Sequence, residues 1–155
     1  HAMTGSRVGW ICGPETMIQH LINLATHTTY GVPGYIQDAA DFALKQGNAD
    51  ELKVAAPFRR RRDIAMDLIA TQSVVSAVPC YGSMYIMLDI RATGLSGDIF
   101  ARSLLDQKHI AVMPGESFGQ AAAGHVRVAM TVSDDQFKQA LGSLLDFAGE
   151  QTKFP

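Results

Sequence analysis

Met84-Tyr85-Ile86-Met87-Leu88-Asp89-Ile90 decides the fold class of this chain. Met84, Ile86, Leu88 and Ile90 alternate with Tyr85, Met87 and Asp89, and a period of two lines up apolar side chains on one face of a half-buried strand. Val126-Arg127-Val128-Ala129-Met130 repeats the alternation, and Ile110 to Met113 reads as a shorter strand. Helices separate them. Ser96 is placed to cap a helix carrying Ile99, Phe100 and Leu104. Ser133-Asp134-Asp135-Gln136 fits a capping box that sets two carboxylates at the positive end of a helix dipole. The helix it opens carries an apolar stripe of Phe137, Leu141, Leu144, Leu145 and Ala148. From Ser76 onward strands and helices therefore take turns, which predicts an α/β class with an α+β small domain, a short sheet covered by helices.

Working back from that sheet, the pattern changes. A long polar helix is predicted from about Asp50 to Gln72, with Leu52, Phe58, Met66 and Ile69 on its buried side. Pro57 lies inside it, and an interior proline removes one backbone hydrogen bond, which predicts a kink or a restart. Arg59-Arg60-Arg61-Arg62 reads as a solvated face paired with Asp63 and Asp67. Gly47-Asn48 marks the boundary, so 1–47 and 48–155 are expected to be separate regions. In the first, Arg7 to Cys12 reads as a short buried strand stopped by Gly13-Pro14. Met17, Ile18, Leu21, Ile22 and Ala25 follow at helical spacing, then a Gly/Pro-punctuated loop at Thr28 to Gly34, then an Ala-rich helix from Tyr35 to Leu44.

Composition narrows the function classes. The chain has 155 residues, 47% of them apolar, and 13 Lys and Arg balance 15 Asp and Glu to a net charge of −2. Disorder, collagen and coiled coil are excluded, and the balance argues against a domain that neutralises nucleic-acid phosphates. No apolar run is long enough to span a membrane and no signal-peptide core opens the chain, so a soluble, cytoplasmic protein is expected. Cys12 and Cys80 stand far apart, which fits a reduced compartment better than a disulfide framework. The histidines His1, His20, His27, His109 and His125 form no ligand spacing, so no metal site is expected.

Three motifs invite chemistry. Gly115-Glu116-Ser117-Phe118-Gly119 has the letters of a hydrolase nucleophile elbow, but the short Gln120 to Ala123 segment leaves no room for the supporting helix, and the hydrolase reading is rejected. Arg127 stands between apolar neighbours on the face opposite Val126, Val128 and Met130. It is either a surface charge or a fixed guanidinium fork that grips a carboxylate through two parallel hydrogen bonds. Arg7 poses the same choice, surface charge or anion clamp beside Met3-Thr4-Gly5, and spacing decides neither.

His1-Ala2-Met3-Thr4-Gly5-Ser6-Arg7-Val8-Gly9 resembles the segment that follows the cofactor lysine in fold-type I, pyridoxal-phosphate-dependent aminotransferases of class I/II. Val112-Met113-Pro114-Gly115, Phe118-Gly119 and Gly124-His125-Val126-Arg127-Val128 resemble a later block of that family, and Pro79 to Tyr85 with Asp89 resembles its preceding strand. The order is the family's, and the likeness runs over essentially the whole chain. Tyr30-Gly31, Ile36 to Ala40, the Arg59 to Asp63 run and Asp89-Ile90-Arg91 are similar to the arginine:pyruvate type within it.

The resemblance implies a fragment: a remnant of the large cofactor-binding domain over 1–47, then a linking helix and the small domain over 48–155. It implies that Arg7 binds the phosphate of pyridoxal 5'-phosphate and that Arg127 binds the substrate carboxylate. Thr29 and Tyr30 would lie at a homodimer interface in a supporting role. The intact enzyme would transfer an amino group from an amino acid to a 2-oxo acid such as pyruvate. The cofactor lysine would precede His1, so the chain alone is expected to be inactive. A carbon–sulfur lyase of the same fold and a non-catalytic binding module are the alternatives. Two positions depart from the family: Ser6 replaces a usual aromatic, and Pro57 a usual helix former.

Overall fold

The computed structural model describes residues 1–152. The chain divides into two compact units, His1–Val54 and the remainder from Ala55.

The first unit holds two amphipathic helices, α1 (Glu15–Thr28) and α2 (Gly34–Lys45), each entered through a proline in extended conformation, Pro14 and Pro33. Proline suits this place because the first turn needs no N–H donor. Neither helix buries a residue. The Arg7 to Cys12 segment is not a strand: a 3-10 turn at Thr4–Ser6 leads into Arg7 in the left-handed region, and an irregular stretch runs on to α1. A strand needs a neighbour for its backbone donors and acceptors, and the described sheet is confined to the second unit. Trp10 and Ile11 are correspondingly exposed, at 67% and 65%.

Helix α3 (Ala49–Ile69) runs unbroken through Pro57, with neither the expected restart nor its last turn to Gln72. The proline withdraws only the hydrogen bond to the Lys53 carbonyl four residues back, next to the division between the units. Leu52 and Met66 are not on a buried side, at 52% and 40% exposure. The inward residues are Ala65 and Ile69, with Phe58, Ile64 and Leu68 half-buried beside them. The arginine run is not a uniform solvated face either. Arg62 pairs with Asp63, but Arg60 and Arg61 reach Asp134 at 3.0 and 2.7 Å, and Arg61 also donates to the Met130 carbonyl. Hydrogen bonds from Arg60 and Arg61 hold the Asp134 carboxyl below its usual range. These pairs join residues 74 and 73 apart in sequence, far beyond the three- and four-residue spacing of helix neighbours.

Gln72 ends α3: its Nε2 donates to the Ile69 and Val75 carbonyls, and its Oε1 accepts from the Val74 and Val75 amides. The chain then enters a four-stranded antiparallel sheet in the order β1 (Ser76–Ala77), β2 (Tyr85–Asp89), β4 (His125–Ala129), β3 (Met113–Pro114). β1 is too short for any alternation to reveal, and β3 begins at Met113 rather than Ile110. Ile86 and Leu88 of β2 and Val126 of β4 face inward, packed by α4 (Gly97–Lys108) and α5 (Asp134–Gln151). Phe100 and Phe147 meet edge to face with ring centres 5.1 Å apart at its centre. The caps form as read: the Ser96 hydroxyl accepts from the Ile99 amide, and Ser133 and Gln136 complete the capping box. Ile99 is on the outer face of α4, 55% exposed.

Candidate functional site: an unpaired arginine between two rings

On the outer face of the sheet, Arg127 lies opposite Met87 in the β2–β4 register, two positions from the Tyr85–Ala129 pair. Residues of the same parity share a face, so Tyr85, Met87, Asp89 and Arg127 project together, away from the core. The Arg127 guanidinium carbon lies 4.1 Å from the centre of the Tyr85 ring and 4.6 Å from that of Phe118. Phe118 comes from the 3-10 turn Gly115–Phe118 that follows β3. Two ring faces against one planar cation stabilise it through their quadrupoles. They also leave its N–H edge, rather than its face, to a ligand. Contact by Phe118 was not visible in the spacing, since it is nine positions away across two irregular turns.

What separates Arg127 from the other half-buried arginines is its lack of a partner. Arg61 is engaged by Asp134 and Arg62 by Asp63. Even the exposed Arg91, two residues beyond the end of β2, is engaged by both oxygens of Asp89, whose carboxyl its hydrogen bonds draw down to about 2. Arg127 has neither an ion pair nor a hydrogen bond to another described residue, only its two ring contacts. A partly desolvated guanidinium with five free donors is matched by a planar carboxylate, which takes two of them in parallel.

The backbone that carries Arg127 is tightly set. Gly124 adopts a left-handed φ of +71°, its amide donates to Glu116 Oε1 at 3.1 Å, and its carbonyl accepts from the Ile90 amide at 3.0 Å. A side chain at Gly115 would run into the Ala122 carbonyl, and one at Gly97 would run into the Glu116 carboxylate and the His125 carbonyl. Ser117 is exposed on its turn and is followed by a second 3-10 turn, Gln120–Ala122, rather than by the long α-helix a nucleophile elbow needs. His125 Nδ1 is hydrogen-bonded to the Ala123 carbonyl, which occupies it within the turn.

The remaining candidates lie in the first unit. Arg7 is exposed at φ +52°, with one guanidinium nitrogen donating to the Thr4 carbonyl at 3.0 Å and no carboxylate partner among the described residues. That single tether aims the head group back over its own turn and leaves most of its donors free for an anion. Thr29 and Tyr30 close α1: both amides donate to the Ala25 carbonyl, and Tyr30 sits at φ +58° before Gly31 at +89°. The tyrosine is 89% exposed. Among the described residues no group of three or more His, Cys, Asp or Glu side chains is arranged to hold a metal ion, and no helix is long and apolar enough to cross a membrane.

In the second unit the sheet thus presents a ring-stacked arginine that has no ion-pair partner among the described residues. The chain belongs to the aminotransferase class I and II family, whose description matches residues 1–144 and so includes every segment quoted above for the resemblance. It is 41% identical to the arginine–pyruvate transaminase of Pseudomonas aeruginosa over 140 residues, 90% of this chain and 36% of that protein. It is 30% identical to an LL-diaminopimelate aminotransferase of Dehalococcoides mccartyi over 149 residues, 96% of this chain and 38% of that one. In structure it is similar to the aromatic aminotransferase of Pyrococcus horikoshii, with a TM-score of 0.81 at 27% identity over 97% of this chain and 40% of that chain. It is also similar to the aspartate aminotransferase of Thermus thermophilus solved with maleate, TM-score 0.78 at 29% identity, over 94% and 38% of the two chains. The fold is thus that of fold-type I aminotransferases, and the chain spans less than half the length of the relatives it matches.

Proposed function

We propose that this chain is the C-terminal part of a pyridoxal-phosphate-dependent aminotransferase that moves an amino group from an amino acid, arginine being the first candidate, to a 2-oxo acid such as pyruvate. The observation that carries it is the Arg127 guanidinium, in contact with the rings of both Tyr85 and Phe118 and with no ion pair or hydrogen bond to another described residue. Both substrates of an amino transfer carry a carboxylate next to the reacting carbon, so one fork serves both half-reactions. Gripping that carboxylate through two bonds fixes the rotation of the substrate about its Cα and selects which bond is broken. When bound, pyridoxal phosphate supplies an electron sink for the charge released at that carbon. Arg7 fits the phosphate of this cofactor, since its charge is permanent and its donors are largely uncommitted. The lysine that would bind the cofactor covalently matches none of Lys45, Lys53, Lys108, Lys138 or Lys153 by motif, so the 155-residue chain alone is read as inactive.

The same reading assigns 1–47 to a large cofactor domain and 48–155 to the linking helix and small domain, with Thr29 and Tyr30 supporting a homodimer interface in the cytoplasm. The exposed apolar side chains Trp10, Ile22, Leu24 and Phe42 of the first unit support it, because such a surface is usually covered in the working protein. The test is product analysis on the intact protein supplied with arginine, pyruvate and the cofactor. Alanine formation matched by loss of arginine is expected; release of pyruvate and ammonia from sulfur amino acids would replace this reading by a lyase. Arg127→Lys keeps the charge but loses the fork, and is expected to raise KM for the 2-oxo acid by about tenfold or more.

A further inference from the structure

Glu116 is a glutamate on an irregular turn with a connection the family likeness does not explain. One oxygen, Oε1, accepts from the Gly97 amide at 2.9 Å and from the Gly124 amide at 3.1 Å. The other, Oε2, is buried without a hydrogen-bond partner among the described residues. Gly97 is the first residue of α4, and Gly124 immediately precedes β4. A single carboxylate therefore joins three pieces of backbone: its own 3-10 turn, the N-terminus of a helix and the start of the central strand. Both glycines are needed for this, since a side chain at Gly97 would run into the carboxylate itself and one at Gly124 into the Arg91 methylenes.

Placing a charge here with one oxygen unpaired is costly. The positive end of the α4 dipole and two amide donors offset that cost, and hydrogen bonds from backbone amides hold the Glu116 carboxyl below its usual range. The position of the two ends of the clasp shows what it is for. Phe118 lies two residues beyond Glu116 in the same turn, and Arg127 lies three residues beyond Gly124 in the strand. Phe118 is 49% exposed, so core packing does not hold its ring, and Gly119 after it, at φ +105°, offers no side chain to brace it. The β3–β4 pairing fixes only the start of the turn, at Met113 and Pro114.

We propose that Glu116 is a positioning residue for carboxylate recognition: by tying the Phe118 turn to the start of β4 it holds the Phe118 ring over the Arg127 guanidinium and keeps that fork in one plane. This rests on the reading of Arg127 as the substrate-carboxylate fork. A pocket with its rotamers set in advance loses less entropy when ligand arrives. Removing the clasp therefore weakens binding without touching either ring or the guanidinium.

The test is NMR on the whole 155-residue chain, following the Arg127 δ-methylene protons, which two ring faces shift upfield, and the Arg127 Nε–H during a titration with pyruvate. In Glu116→Ala the δ-methylene shift is expected to fall by roughly half, the share of Phe118, and the half-saturating pyruvate concentration to rise about fivefold or more. The Ile86, Leu88 and Val126 methyl signals of the sheet stay in place. Glu116→Gln keeps an acceptor for both amides and is expected to retain the shift and bind pyruvate within about twofold of the parent chain. Unchanged δ-methylene shifts in Glu116→Ala would overturn the proposal, leaving Glu116 a helix cap. If that variant loses its core methyl signals, Glu116→Asp decides: its carboxylate falls one methylene short, and unchanged Arg127 shifts there overturn the proposal equally. A shift that collapses in Glu116→Ala while the parent chain never responds to pyruvate would instead sink the reading of Arg127, and the two failures are thereby told apart.

Discussion

The first described residue to be buried is Ala65; nothing before it is. The two units nevertheless look alike as sequence, since α1 and α2 carry apolar stripes as regular as that of α5. What differs is the partner. In the second unit Phe100, Leu104, Leu144 and Phe147 find a sheet, and four strands in register give each helix a surface to cover. In the first, Trp10, Ile22, Leu24 and Phe42 remain 53% to 67% exposed. An amphipathic pattern states that a face is meant to be covered and leaves open by what. Periodicity therefore predicts elements well and self-sufficiency poorly.

The largest way to break this contrast is truncation. Phe147→Ala opens a cavity in the second unit and is expected to cost about 3–5 kcal/mol in urea unfolding followed by circular dichroism. A loss under about 1 kcal/mol would mean that this core is loosely packed. Ser133→Ala removes the capping box of α5, with about 1 kcal/mol expected in the same assay. Acid separates the units as well. The Asp89 carboxyl is ordinarily near 3.8 and is drawn to about 2 by its hydrogen bonds to Arg91. A group whose folded value is depressed contributes fully above its unfolded value, so this stabilisation is complete above about pH 4 and is lost as the pH falls toward 2. Because Arg91 is 69% exposed, about 1 kcal/mol is expected from the Asp89→Asn variant between pH 6 and pH 2, less than the whole shift implies. The lysine–aspartate pairs of the first unit, Lys45 with Asp41 and Lys53 with Asp50, are far more exposed. Replacing either aspartate by asparagine is expected to change stability by a few tenths of a kcal/mol at most, at any pH. Phe42→Ala belongs in the same small range, within about 0.5 kcal/mol in this chain. A large loss there would show that the Phe42 face is already covered in solution, and the contrast between the units would fail.

The elements with long patterns or capping chemistry were legible: β2, β4, α4 and α5 stand where alternation and Ser96 or Ser133 put them. The Arg7 to Cys12 segment misled because apolar residues between breakers look the same whether a neighbouring strand is present or not. Pro57 misled because a helix loses one hydrogen bond to a proline and keeps the rest. At the site, Arg127 was readable as an anion-binding candidate, and the likeness to a family raised it above a surface charge. Phe118 and Glu116 were not, because their roles depend on the path of two 3-10 turns whose φ values, +105° at Gly119 and +71° at Gly124, no periodicity encodes. The left-handed Tyr30 and Arg7 were invisible for the same reason: neither is the glycine that usually marks such a conformation.

The single tryptophan has a practical consequence for anyone who handles this protein. Trp10 is the chain's only indole and stands two-thirds exposed in the unit that buries nothing. Emission excited selectively from the indole, apart from Tyr81 and Tyr85 of the second unit, therefore reports the surroundings of Trp10 in the first unit. A tryptophan substituted for Phe100, inside the second unit, would give that unit a signal of its own, and the two melting curves, read from separate variants, would show whether the halves of the chain unfold together.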